Sequence, residues 1–168
     1  MNNHAPDGYR CPFCRNLRLG ESDLPLEIVH RYQDVFVKVN PKWWPNNPGA
    51  VLVIPNDHHE NVYDMPPSLG TPMQAAVRDT ALAMKAAYGC HGVSTRQHNE
   101  PAGNQDVWHL HVHVFPRWEG DELYGSRGQL AEPGELRRRA AQLRAAWPAR
   151  PGDPDAHSTQ SGVPRGTL

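Results

Sequence analysis

Three histidines at every second position mark the segment Trp108-His109-Leu110-His111-Val112-His113-Val114-Phe115. Side chains alternate across a strand, so the segment predicts His109, His111 and His113 on one face and Leu110, Val112 and Val114 in the core. A rise of about 3.3 Å per residue spreads the three imidazoles over roughly 13 Å. Such a row can chelate a metal, or it can present one imidazole as a nucleophile whose neighbours orient it and bind charge. A merely solvated face has little reason to devote three consecutive positions to one ionisable residue type.

The loop ahead of this strand favours the nucleophile. It holds Asn99, Gly103, Asn104, Gln105 and Asp106, so neutral amides, backbone N–H groups and a small residue gather just before the histidines. That set suits an anionic phosphoryl oxygen, and a pure metal site would not need it. Asn104 taken alone reads as an ordinary loop residue. A second cluster is Cys11-Pro12-Phe13-Cys14, two of three cysteines. In a reducing compartment this spacing points to metal binding or redox chemistry more than to a structural disulfide.

Positioning these groups falls to a few regular elements. Residues 27–31 and 34–39 are β-branched runs across a tight polar break and predict an antiparallel hairpin. Residues 50–54 read as a continuous apolar strand stopped by Pro55, and residues 92–97 and 107–115 as two more strands. The main helix is predicted from Pro72 to about Tyr88. Thr71 is its expected cap, Gln74 completes a capping box, and Gly89 is the stop. Its buried stripe is expected to be Met73, Val77, Ala81, Met84 and Tyr88. A second amphipathic helix is expected over residues 135–147. The fold class is α+β, with a five-stranded antiparallel sheet and one main helix.

The totals set outer bounds. The chain has 168 residues, enough for one domain, with 38% hydrophobic and 21% charged residues and a formal net charge of −1. There is no basic excess of the kind that binds nucleic acid, and no apolar run of membrane-spanning length. The N-terminus is polar and unlike a secretion signal, so the cytoplasm is the default compartment. Residues 1–8 read as a flexible leader, residues 9–147 as the folded domain, and residues 148–168, rich in Pro, Gly, Ser and Asp, as a disordered tail. No internal repeat is visible.

His109-Leu110-His111-Val112-His113-Val114-Phe115 resembles the signature of the histidine-triad (HIT) superfamily of nucleotide hydrolases and transferases. Asn99, Ala102, Gly103 and Gln105 upstream, Pro116-Arg117 downstream, and the strand between Pro48-Gly49 and Pro55 extend the likeness over roughly residues 9–125. The resemblance implies a homodimer in which the sheets of two copies join. It implies that His111 attacks the α-phosphorus and that His113 donates to a non-bridging oxygen. Gln105 and Asn99 would contact the phosphate or support its loop, Gly103 would let it approach, and Asn40 would bind ribose hydroxyls. It further implies a structural zinc ion on Cys11, Cys14, His58 and His109, with His59 as an alternative to His58, and no organic cofactor.

Within that family the chain departs at two places. The loop is one residue longer than usual, and Asp106 stands where Ser or Thr is common. A carboxylate beside a phosphate is unfavourable, so Asp106 is expected to turn away. His113, where sugar-phosphate transferases carry Gln, resembles the hydrolase branches. The expected substrate is a dinucleoside polyphosphate or a nucleoside phosphoramidate, with adenine favoured. A phosphorylase, a metalloenzyme using the histidine row, and a non-catalytic nucleotide sensor are the competing readings. Trp43 and Trp44 suit either stacking on a base or burial. His30, His91, His98 and Cys90 read as structural, and Trp118 and Tyr124 lie where the chain turns back toward the site.

Overall fold

The computed structural model describes residues 4–18 and 27–149; the rest of the expected leader and residues 150–168 of the expected tail lie outside the described residues. Five strands form one antiparallel sheet in the order β1-β2-β4-β6-β5. They are β1 (Ile28–Arg31), β2 (Val35–Val39), β4 (Val51–Pro55), β5 (Gly92–Gln97) and β6 (Val112–Arg117). Two helices cover one face, α2 (Gly70–Tyr88) and α3 (Pro133–Ala145), and a short helix α1 (Pro12–Arg18) lies against the other. A two-stranded ribbon, β3 (Lys42–Trp43) with β7 (Gln129–Leu130), had no signal in the sequence.

Alternation along β2 and β4 sorts the core. Val35, Val37, Val39, Val51 and Val53 turn toward α2 and α3, while Phe36, Leu52 and Ile54 pack with Phe13 beneath α1. Each such side chain, fully buried, contributes about 1.5–3 kcal/mol. On α2 the buried positions are Met73, Ala76, Val77, Asp79, Thr80, Ala83 and Met84. Ala81 and Tyr88, expected in that stripe, are only half-buried. Thr71 is not the cap: a 3-10 turn over Pro67–Leu69 leads directly into α2, Leu69 and Gly70 are already helical, and Thr71 falls inside the first turn. Gly89 ends the helix as expected, in the left-handed region at φ +61°. No helix among the described residues is long and apolar enough to cross a membrane.

The largest departure from expectation is in the histidine segment. Strand β6 begins at Val112, so Trp108 to His111 lie ahead of the ladder. The register Val53↔Val112 would bring Pro55 opposite Leu110. Pro55 has no N–H to give, and β4 ends there. The chain separates, and the Leu110 N–H donates instead to the His59 carbonyl at 2.6 Å. The three histidines therefore do not share one strand face.

Candidate active site and metal centre

Released from the ladder, His109 turns into the protein and is fully buried. Its Nε2–H donates to the Pro55 carbonyl at 3.0 Å, which leaves the Nδ1 lone pair facing the sulfurs of Cys11 at 3.2 Å and Cys14 at 3.6 Å. His58 Nδ1 approaches Cys14 Sγ at 3.3 Å. The donor atoms of Cys11, Cys14, His58 and His109 all lie within 4.8 Å of one another, a set that can hold a metal ion. Tetrahedral bonds of about 2.3 Å to sulfur and 2.0 Å to nitrogen place ligands about 3.3–3.8 Å apart; the 3.2, 3.3 and 3.6 Å contacts lie close to this range, and the cluster as a whole reaches 4.8 Å. His59 is not part of the cluster: its carbonyl holds Leu110 and its side chain lines a separate cleft near Asn56.

The other two histidines face a cavity of about 720 Å³ on the α1 side of the sheet. His111 donates from Nδ1 to the His109 carbonyl at 2.7 Å, so Nε2 carries the free lone pair. Its ring is buried, and that burial pushes its pKa down, so it is neutral near pH 7. His113 stands edge-on to it, with centroids 4.9 Å apart, and stacks on Phe115. Burial first, and the nearby charges of His111, His98 and Arg96 next, push His113 down to about 3. His113 Nδ1 is buried without a hydrogen-bond partner among the described residues.

Phe13, from the middle of the C-x-x-C element, fills the space between the two sites. Its ring meets His109 at 5.6 Å and His111 at 5.3 Å, edge-on to both. One helical turn later Asn16 lines the cavity beside Lys38. With its amide oriented to satisfy both ends, Asn16 accepts from Lys38 Nζ at 3.2 Å and donates to the Pro12 carbonyl at 3.3 Å. Lys38 pairs with Glu27 at 3.5 Å, and burial pulls its pKa down. Asn40, two residues along β2, lines the same wall and accepts the Lys42 N–H at 3.2 Å.

The loop residues divide differently from their order in the sequence. Asn104, at φ +65°, and Asp106 line the cavity. Asp106, expected to turn away from the phosphate, is an exposed residue at the cavity rim. Gln105 is buried and turned inward, donating to the carbonyls of Glu60 and Val107 and accepting the Glu100 N–H. Asn99 accepts the Val62 N–H at 2.9 Å and exchanges hydrogen bonds with Gln97, away from the cavity. Nothing stands where a Cβ on Gly103 would project. Trp43 is core, whereas Trp44 lines the cavity and meets Phe115 and Tyr124 edge-on. Sequence reasoning missed Phe13, Asn16, Lys38 and Arg96. Lys38 had a readable signal, since it shares the strand face of Asn40.

A family model described as the HIT domain matches residues 24–120. The chain belongs to the HIT family. The crystal structure of a HIT-like protein from Bartonella henselae, described as involved in cell-cycle regulation, matches this HIT protein with a TM-score of 0.73 at 32% identity, over 85% of this chain and 99% of that one. A zinc-bound histidine triad protein from Mycobacterium smegmatis matches at 0.63 and 28%, over 81% and 96%. Among relatives, an uncharacterized HIT-like protein of Methanocaldococcus jannaschii is 29% identical over 76% of this chain and 89% of its own length. An adenylylsulfatase of Arabidopsis thaliana is 29% identical over 79% of this chain. An AP-4-A phosphorylase of Mycobacterium tuberculosis is 28% identical over 74% of this chain. The matched segments span 65% and 64% of these two enzymes.

Proposed function

We propose that this HIT protein is a nucleotidyl hydrolase in which His111 attacks the α-phosphate of a dinucleoside polyphosphate or a nucleoside phosphoramidate. The observation that carries this reading is the His111 ring, whose Nδ1–H is held by the His109 carbonyl while its Nε2 lone pair is free beside a nucleotide-sized cavity. Nε2 forms a bond to the α-phosphorus as the leaving group departs with the electron pair of its bond. The proton on Nδ1 stays, and the His109 carbonyl stabilises the charge that the ring acquires. Water then attacks the phosphorus, loses a proton and releases neutral His111.

His113 is the proposed donor to a non-bridging oxygen, and its orphaned nitrogen favours a polar ligand there. Asn40 is the proposed ribose contact, and Asn104 with the backbone near Gly103 the proposed phosphate loop. Gln105 and Asn99 act as positioning residues that brace that loop through Glu60, Glu100 and Val62. Adenine nucleotides are the favoured class, in line with the names of the two enzyme relatives. A phosphorylase, with inorganic phosphate replacing water in the second step, is the second reading, favoured by the mycobacterial relative. The ion we propose on Cys11, Cys14, His58 and His109 is zinc, with no open position and a structural role. We further propose a cytoplasmic homodimer whose sheets join.

The test is brief incubation of wild-type and His111→Ala protein with radiolabelled diadenosine polyphosphate and adenosine phosphoramidate. Acid-labile label on the wild type alone, with AMP released, is expected. Tight binding without label or turnover would make the protein a nucleotide sensor instead.

A further inference from the structure

We infer that Arg96, held across the ring of Tyr124, selects for a polyanionic leaving group, a phosphate chain, over an amine. This rests on the nucleotidyl-transfer reading above and names the substrate class it leaves open.

Register places four cavity-lining residues in one row across the sheet: Lys38 opposite Leu52, Leu52 opposite His113, and His113 opposite Arg96. Strands lie about 4.8 Å apart, so Lys38 and Arg96 stand on opposite sides of the reacting histidines. With a nucleoside on the Asn40 side and its α-phosphate at His111 and His113, the remaining space runs under β3–β7 toward β5. Arg96 marks the β5 edge of that space, next to Tyr124 and Trp44, and Lys42 and Asn104 line the same cavity.

The two ends differ in how their charge is used. Lys38 is paired with Glu27. Neither Arg96 nor Lys42 has a carboxylate partner among the described residues. The Arg96 guanidinium lies 5.1 Å from the centre of the Tyr124 ring, and Tyr124 in turn meets Trp44 edge-on at 5.5 Å. A π face holds a guanidinium in place without neutralising it, and leaves its N–H fork free for phosphate oxygens. Among the described cavity-lining residues the carboxylates are Glu27, which pairs with Lys38, and Asp106, so Arg96 and Lys42 outnumber the acidic charge that remains.

When His111 Nε2 bonds to the α-phosphorus, the bridging P–O bond breaks and its electron pair stays on the departing oxygen. The phosphate chain leaves with one more negative charge and needs no proton. Arg96 and Lys42 offset that charge as it develops, a contribution greater in the transition state than in the ground state. An amine leaving group develops no anion once protonated, and as an ammonium it is repelled by both cations.

The experiment measures kcat/KM of the full-length protein for diadenosine tetraphosphate and for adenosine 5′-phosphoramidate, in wild type and in Arg96→Gln, Arg96→Lys and Lys42→Gln. The ratio of the two constants is expected to favour the phosphate chain in wild type. It should collapse tenfold to a hundredfold in Arg96→Gln and fall less in Arg96→Lys, which keeps the charge without the fork. Inorganic tripolyphosphate should inhibit wild type at least tenfold more tightly than Arg96→Gln. A ratio unchanged within twofold in folded Arg96→Gln overturns the assignment while His111 labelling persists. Absence of label from either substrate overturns the nucleotidyl-transfer reading and this inference with it.

Discussion

Phe13 meets His111 edge-on, with ring centroids 5.3 Å apart and planes at 75°, and it meets the His109 ring edge-on as well, at 5.6 Å. The residue that lies between the two cysteines of the candidate metal cluster is therefore also a wall of the His111 ring, the proposed nucleophile. Edge-on aromatic contacts are worth about 0.5–1.5 kcal/mol each beyond their area. Phe13→Leu, which keeps most of the volume, should cost about 1–3 kcal/mol in denaturant unfolding and slow His111 labelling while metal content is retained. Unaltered labelling in the folded variant would reduce Phe13 to filler.

Removing one thiol should unseat the ion. Cys14→Ser protein should carry well under the wild-type metal content by mass spectrometry, and its melting temperature should match that of chelator-treated wild type. Structural ions of this kind are bound with folding free energy, so the loss should be several degrees or more. Equal melting temperatures for chelated and metal-loaded wild type would show that the four donors hold nothing.

Acid should weaken the fold through two groups whose pH windows overlap only at their edge. His113, at about 3 in the folded protein and about 6.5 when unfolded, binds fewer protons folded than unfolded across that interval. Stability is thus intact above about 6.5 and falls as pH drops toward 3, with a slope of about 1.4 kcal/mol per pH unit from this group. His113→Gln should flatten that part of a pH series of urea unfolding curves. Asp121 has its pKa held low by the Arg117 guanidinium, with help from the Trp118 N–H and Asn47. Its contribution is present above about 4 and is lost as pH falls below that value.

The same Asp121 closes a polar knot. Arg117 grips it with two bonds of 2.7 Å, Asn47 donates at 2.6 Å, and the Trp118 and Leu123 N–H groups add two more. Asp121→Ala leaves those donors facing an empty site and should cost about 3–5 kcal/mol by chemical denaturation. A loss under 1 kcal/mol would mean that water replaces the carboxylate.

Gly49 sits at φ +87°, and a Cβ there would lie 2.8 Å from Tyr88 Oη and 2.9 Å from Cζ. Gly49→Ala should cost about 1–3 kcal/mol from backbone strain alone. Tyr88→Phe should not rescue it, because the ring carbons remain. Recovery in the double variant would locate the conflict at the hydroxyl.

Periodicity made the main sheet and both long helices legible because burial imposes it. Residues 27–39 show the hairpin through β-branching, and Gly89 shows the end of α2 through its backbone freedom. The cysteine half of the candidate metal cluster was readable because C-x-x-C is a local spacing, while His58 and His109 were legible only through the family resemblance, and the structure gathers all four. The three-histidine face was not readable, since the ladder fails where Pro55 meets Leu110, and that opposition exists only in three dimensions. Gln105 was placed by family position, yet the added residue in its loop carries Asn104 to the cavity and Gln105 to Glu60. Ribbon β3–β7 joins two residues on each side over a long sequence separation, too short a run to show any period.

Helix α1 has seven residues, fewer than a helix needs to persist by itself in water. Cys14 belongs to the candidate metal cluster, while Phe13 and Asn16, on the same two turns, line the cavity beside His111. The floor of the proposed substrate pocket is thus borrowed from the candidate metal cluster. A thiol oxidant or a soft competing metal would then act as an inhibitor at a distance, deforming the nucleoside end of the cavity while leaving His111 and His113 chemically untouched.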